Sequence, residues 1–189
     1  MKYISKGIVK EGSTEFILHV LRGRFDFQLT GEKLVLWLNG RLGFAEADTE
    51  KNPILRNALE HLRRMGLVEI VENVDAGEYW ALTRCMIVPA KEEGISFPLN
   101  SGEKRILHWL RKAGLNLTMA ELVFLTEHGI EPSQKLLGRE NRHRLTETIY
   151  TQDNIFDNIL ETQMERAKKR DDTVKMVLGL LKKQQILLL

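Results

Sequence analysis

Five histidines (His19, His61, His108, His128 and His143) and one cysteine, Cys85, are the side chains best suited to hold a metal or act as a nucleophile in this chain of 189 residues. Metal and nucleophile sites need such groups at set intervals, so that two or three project from one face of a helix or turn. None of those intervals occurs. There is no HExxH pair, no CxxC, no glycine-rich phosphate loop and no GxSxG elbow. His128 and His143 meet only if the fold brings them together, and both read as helix-end or surface residues. Cys85, beside Arg84 in a stretch expected to be a strand, reads as a small buried apolar side chain. No catalytic residue, metal or cofactor is expected, and the chain does not read as an enzyme.

Cations offer more. Arg139, Arg142 and Arg144 crowd into Gly138-Arg139-Glu140-Asn141-Arg142-His143-Arg144, a density suited to phosphate contact, which positions a protein on nucleic acid without reading sequence. Lys168-Lys169-Arg170 and Lys182-Lys183 fall where helices are expected to end, and there cations complement the helix dipole. The net charge of +2 is too small to demand a nucleic-acid partner. It is also uneven, with 13 Lys and Arg against 14 Asp and Glu up to residue 95 and 15 against 12 beyond it. A single cysteine excludes an intrachain disulfide. Charges near Met1 and the lack of any apolar run of roughly 20 residues lead us to expect a cytoplasmic protein with no membrane partner.

The elements that position these residues follow from periodicity. Glu15–Leu21 and Phe25–Leu29 read as strands joined by a turn at Arg22-Gly23-Arg24. Thr30 caps a helix carrying Leu34, Leu38 and Leu42. Asn52-Pro53 opens another, with Leu55, Ala58, Leu59 and Leu62 as its buried stripe and Gly66 as its stop. Strands are expected over Leu67–Val71 and Tyr79–Leu82, with a turn between them at residues 73–77. Residues 91–100, with two prolines and a glycine in Pro89–Asn100, read as the linker. Beyond it, helices are expected near 102–113, 118–128, 140–150, 153–170 and 173–184, with a capping box at Thr118 and Glu121 and a short strand at Ile186–Leu189.

Self-similarity organises the whole. Thr30–Leu36 aligns with Ser101–Leu107. Leu55, Ala58, Leu59, Leu62 and Leu67 align with Val174, Val177, Leu178, Leu181 and Ile186. The second copy carries an insertion of about 50 residues, within which Ile155, Phe156, Ile159, Leu160, Met164 and Ala167 form an apolar stripe. The stripe is expected to pack on its own core; the alternative is a homodimer seam formed by Ile155, Phe156, Ile159, Leu160 and Met164.

A helix ending in Gly66-Leu67-Val68-Glu69 and followed by a hairpin resembles the recognition helix and wing of the winged-helix superfamily. The resemblance rests on Asn52–Leu82 and, more loosely, on Gly102–Leu189. It implies an α+β, helix-rich fold of two winged-helix-like modules, the first (residues 1–90) with extra N-terminal strands, the second (101–189) mostly α-helical. By analogy with that superfamily the leading expectation is a non-enzymatic, DNA-associated regulator of transcription-factor type. Its contacts with double-stranded DNA would be Arg56, Asn57, His61, Arg139, Arg142 and Arg144. Two features oppose it: Asp171-Asp172 would begin the second recognition helix, and Glu69, Glu72, Asp75 and Glu78 would lie in the first wing. The alternative is a protein- or peptide-binding adaptor without DNA contact. In its sharper form, Gln28-Leu29-Thr30 through Leu38-Asn39-Gly40-Arg41 resembles the small peptide-binding modules of peptide-modifying systems. That resemblance implies a groove between the third strand and a helix, filled by strand addition.

Overall fold

The computed structural model describes residues 1–90, 97–113, 116–152 and 160–189. The chain is α+β, with three small antiparallel sheets and seven helices among the described residues.

Strand β1 (Lys2–Ser5) lies in the middle of the first sheet, flanked by β5 (Ala45–Glu46) and β6 (Val68–Ile70). Between β1 and β5 the chain inserts a meander of β2 (Ile8–Val9), β3 (Leu18–Arg22) and β4 (Phe25–Leu29), then helix α1 (Gly31–Asn39). The β3–β4 hairpin closes through Gly23-Arg24, with Gly23 at φ +60°, the positive φ that a tight hairpin turn requires. Helix α2 (Pro53–Arg64) links β5 to β6, and Asn52 caps it by accepting from the Ile54 and Leu55 amides.

The third sheet repeats the arrangement. Strand β7 (Met86–Pro89) takes the middle, between β8 (Leu117–Thr118) and β9 (Ile186–Leu188). Helix α4 (Ser101–Ala113) precedes β8; α5 (Met119–Glu127), α6 (Arg139–Gln152) and α7 (Leu160–Lys182) lead to β9. In both units the strand that precedes the first helix sits centrally, and the strands after the first and last helices flank it.

The sequence match is one residue out of structural register at both ends. Thr30 stands at the N-cap position of α1, though its hydroxyl makes no capping hydrogen bond, and it corresponds to Asn100 and not Ser101, because Asn100 accepts from the Glu103 amide at 2.8 Å and donates its own N–H to Glu103 Oε2 at 2.9 Å. At the other end Gly66 (φ +68°) and Gln184 (φ +56°) close the last helices. There Leu67 N–H reaches Leu62 O and Gln185 N–H reaches Leu180 O, both at 2.9 Å. The equivalent core residues are Leu59, Leu62 and Val68 with Val177, Leu180 and Ile186, all buried.

Two expectations, the Tyr79–Leu82 strand and the Asp171-Asp172 helix start, are corrected, and two placements add to the sequence reading. Tyr79–Leu82 is not a strand but lies in helix α3 (Gly77–Thr83), so no wing hairpin follows α2. Gly77 sits where a Cβ would meet Glu72 O at 2.2 Å, and Ala76 is left-handed, which turns the chain into that helix. Leu38 and Leu42 face outward, and α1 buries Leu34, Leu36 and Trp37. The backbone runs as one helix through Asp171-Asp172-Thr173, so those carboxylates do not sit at a helix N-terminus. Residues 77–90, grouped above with the first module, supply Leu82, Cys85 and Ile87 to the second core. Of the expected linker, residues 91–96 lie outside the described residues.

Alternation along β1 ties the cores together. Side chains on a strand point to opposite faces in turn, so Tyr3 enters the first core, with Trp37, Leu59 and Leu62, while Ile4 enters the second, with Leu82, Ile106 and Leu180. The Tyr3 hydroxyl donates to Leu36 O at 2.8 Å, and burial pushes its pKa up to about 12. Gly40 closes over this strand: its carbonyl accepts from Ser5 N–H at 2.9 Å, and a Cβ there would meet Ser5 Oγ at 2.5 Å and Tyr3 Cε2 at 2.8 Å. Gly40 has φ −83°, so a replacement meets steric opposition and no backbone strain. Gly40→Ala is expected to lose about 1–3 kcal/mol, the range for overpacking a dense site, measured as a lower urea midpoint with unchanged slope.

Glu103 joins α4 to α7 in the second core. Its carboxylate is buried and accepts from Lys183 Nζ at 2.6 Å. Burial works to raise its pKa, but the Lys183 and Asn100 hydrogen bonds outweigh it and hold the group below the ordinary 4.5. A carboxyl depressed on folding contributes stability above its unfolded pKa and loses it as pH falls through the folded value. Unfolding midpoints measured from pH 6 down to roughly pH 2 should therefore fall less steeply in Glu103→Gln than in the parent, across the range below about 4.5.

Candidate functional site

The six residues expected to contact DNA divide between two helices. Arg56, Asn57 and His61 share the exposed side of α2, which packs on α1 and β6. Arg139, Arg142 and Arg144 lie on α6, which packs on α5 through Leu145 and Ile149 in the other core. The α2 face also presents Arg63 and Arg64, both exposed, and Lys33 Nζ of α1 stands 3.3 Å from His61 Nδ1. Glu60 is its one acid, 3.8 Å from Arg63. Arg56 has already turned its Nε to the Thr49 carbonyl at 3.1 Å. Asn57, Glu60, His61 and Arg64 line a shallow depression on this face.

Arg142 is occupied inside the protein. Its Nε and Nη2 grip both oxygens of the buried Glu121 at 2.7 and 2.8 Å, and Nη2 also donates to Asn116 O at 2.7 Å. Glu121 meanwhile closes the α5 capping box with Thr118. This fork fixes α6 against the start of α5 and engages Arg142 Nε and Nη2 within the fold. Arg139 and Arg144 remain exposed. The expected dimer residues Ile155, Phe156 and Ile159 lie outside the described residues; Leu160 and Met164 fall in the first part of α7.

Three of the four acids expected in a wing are engaged within the fold. Glu69 accepts from Lys6 Nζ at 2.6 Å, Glu72 pairs with Arg84 and Glu78 with Lys2. Hydrogen bonding and charge from Arg84 lower the Glu72 pKa. Cys85 is buried, with Sγ 3.4 Å from Ala81 O, and burial raises its thiol to about 12, so it is no thiolate nucleophile at neutral pH. His128 Nδ1 lies 2.9 Å from Phe124 O and its ring stacks on Phe124, while His143 pairs with Glu147. Among the described residues no three His, Cys, Asp or Glu side chains gather as a metal site. No helix among them is long and apolar enough to cross a membrane.

Two further surfaces stand out, the first in the stretch where the resemblance of Gln28–Arg41 to peptide-binding modules implies a groove. The first comprises β4 and the outward side of α1, which follows it directly in the chain. Strand β4 pairs with β3 alone among the described residues, which leaves its other edge open. Phe25 at its start is 68% exposed, and Phe16 nearby in sequence is 79% exposed. On α1, Val35 and Leu38 are 53% and 42% exposed, one helical turn apart, and Leu42 continues the row. The signal was present in Leu34, Leu38 and Leu42, but four-residue spacing cannot say which stripe of an apolar helix faces inward. The second is a cleft of about 430 Å³ walled by α3, α5, α6 and α7, with Tyr79, Trp80, Phe124 and Arg170 around it. Reading Tyr79–Leu82 as a strand hid it. No family model, curated protein or solved structure matches the chain.

The two kinds of arginine on α6 separate experimentally. Arg142→Ala leaves the Glu121 carboxylate buried without its guanidinium, a loss of about 3 kcal/mol or more for a broken buried pair. Arg139→Ala and Arg144→Ala should stay within about 0.5 kcal/mol of the parent, as exposed substitutions do. Thermal unfolding of the three single variants distinguishes them.

Proposed function

We propose that the protein is a non-enzymatic adaptor that captures an extended peptide segment of a partner along the open edge of β4. In this reading the two units are winged-helix-like, with the central strand supplied from ahead of the first helix. The observation that carries it is the edge of a five-residue strand, unpaired among the described residues, with the exposed Phe25 at its start and the exposed Val35 and Leu38 on the helix that follows. Such an edge offers backbone donors and acceptors in a row, and an extended chain satisfies them all at once. Phe25 and the Val35–Leu38 face supply apolar contacts for alternate side chains of the guest. The resemblance of Gln28–Arg41 to peptide-binding modules agrees, since it implies a groove beside the third strand of a sheet, and β4 is the third strand of its meander.

A second reading, contact with double-stranded DNA through α2, is favoured by the outward grouping of Arg56, Asn57, His61, Arg63 and Arg64. It is the weaker one. A recognition helix is steadied on duplex DNA by a wing or a second anchoring element, and here α3 replaces the hairpin while Arg142 is consumed by Glu121.

Selection of a random 12-residue peptide library against the full chain tests the first reading. Recovered peptides should be rich in β-branched and aromatic residues, slow amide exchange at residues 25–29, and bind at least about tenfold more weakly to Phe25→Asp, or 1.4 kcal/mol. Failure to recover such peptides, or equal binding by Phe25→Asp, sinks it. If random duplex DNA binds instead, with log affinity falling about 0.9 per phosphate contact against log salt and lost in the Arg56→Ala, Arg63→Ala double variant, the second reading takes its place.

A further inference from the structure

The cleft between α3 and α7 has chemistry that neither reading uses. Trp80 stands on its wall 45% exposed, whereas the other two tryptophans, Trp37 and Trp109, are buried. Exposing an indole forfeits a large apolar contact, and such residues concentrate where something else completes the burial. The indole is not loose. Tyr79 meets it edge-on, with ring centroids 5.2 Å apart at 62°. The Arg170 guanidinium lies over the Tyr79 ring at 5.6 Å, so cation, phenol and indole form one continuous wall. Arg170 spends its Nε on Asp171 at 3.1 Å. Four of a guanidinium's five N–H donors belong to the Nη groups at the far end of the fork. Phe124, held by its stack on His128 at 4.1 Å, and Ile149 supply the apolar floor.

We propose that this cleft binds a small planar aromatic anion, of the aromatic carboxylate class. The ring would lie against Trp80 over the apolar floor, and the carboxylate would meet Arg170. The volume of about 430 Å³ falls within the range of small-molecule pockets, roughly 300–1,000 Å³. The charge of the lining suits that class. Arg166 and Glu127 line the cleft together with Arg170, so two cations and one carboxylate leave a single net positive charge, which one ligand carboxylate balances. A ligand here would bear on both units, because α3 connects β6 of the first sheet to β7 of the third and α7 leads into β9.

The probe is 1-naphthoate, titrated into the full chain by calorimetry, with 1-naphthylmethanol as its neutral counterpart. Saturable one-to-one binding is expected, at least about tenfold weaker for the alcohol and for each of Trp80→Ala and Arg170→Met, since each removes about 1.4 kcal/mol of contact. Trp80 is exposed, so Trp80→Ala should keep the parent's unfolding midpoint, and Phe25→Asp should bind naphthoate as the parent does. Absence of saturable heat, equal affinity for the alcohol, or undiminished binding by both cleft variants overturns the proposal. A weakened Phe25→Asp would place the ligand on the β4 surface, and that also overturns it.

Discussion

The buried lysine at position 6 is the interaction on which the rest of this structure depends. Its side chain is almost wholly removed from solvent, with Nζ 2.6 Å from Glu69 Oε1 and 3.4 Å from the Arg84 carbonyl. Its backbone is equally committed, for its N–H donates to Leu67 O at 2.8 Å and its carbonyl accepts from the Trp37 indole at 2.9 Å. One residue thus joins α1, β6 and the end of α3. A charge taken out of water is tolerated only where partners of this quality meet it, and such a pair defines an arrangement more than it stabilises one. Here the arrangement it defines is the seam between the two units.

Several features follow from that seam. With Lys6 anchored, β1 lies in the middle of its sheet and feeds Tyr3 and Ile4 into different cores. The next residue, Gly7, donates its N–H to Leu188 O of β9 at 2.8 Å, so the two sheets touch through backbone as well as through side chains. Arg84 adds to the same cluster by reaching Glu72 and Glu69. Glu69, Glu72 and Glu78 therefore belong to internal cohesion, and their sign says little about what the outer surface meets. Because α3 is pinned at both ends, by Lys2 on Glu78 and by Lys6 on the Arg84 carbonyl, Tyr79 and Trp80 are presented from a fixed helix.

Local rules read from sequence were sound where local chemistry decides. The Asn52-Pro53 start, the Gly66 stop, the Thr118–Glu121 box and the β4 strand all formed as capping and alternation require. They failed where long-range packing decides. Tyr79–Leu82 looks like a strand because aromatic and aliphatic residues favour one, but Gly77 and its close approach to Glu72 O bend the chain, and the second core takes Leu82 from a helix. Arg142 resembled its exposed neighbours Arg139 and Arg144, and only a carboxylate 21 positions earlier separates it from them. The repeat was visible, yet Thr30-Gly31-Glu32-Lys33 matched Ser101-Gly102-Glu103-Lys104 one residue away from the structural pairing. Topology, and not residue identity, carries the likeness between the units.

That topology bears directly on function. When the strand ahead of the first helix fills the middle of a three-stranded sheet, the last strand has no hairpin partner to grow a wing with. The surface that a wing would occupy becomes α3 in the first unit, and the spare β-structure is the β2–β3–β4 meander inserted after β1. An open edge then lies on the meander, and a cleft of about 430 Å³ lies beside α3, with no residue of α2 in its lining. Helix α2 keeps its cations but loses the neighbours that would hold a duplex against them. An exposed strand edge, by contrast, recognises a partner through backbone hydrogen bonds that depend little on charge. This suits a chain whose net charge is only +2.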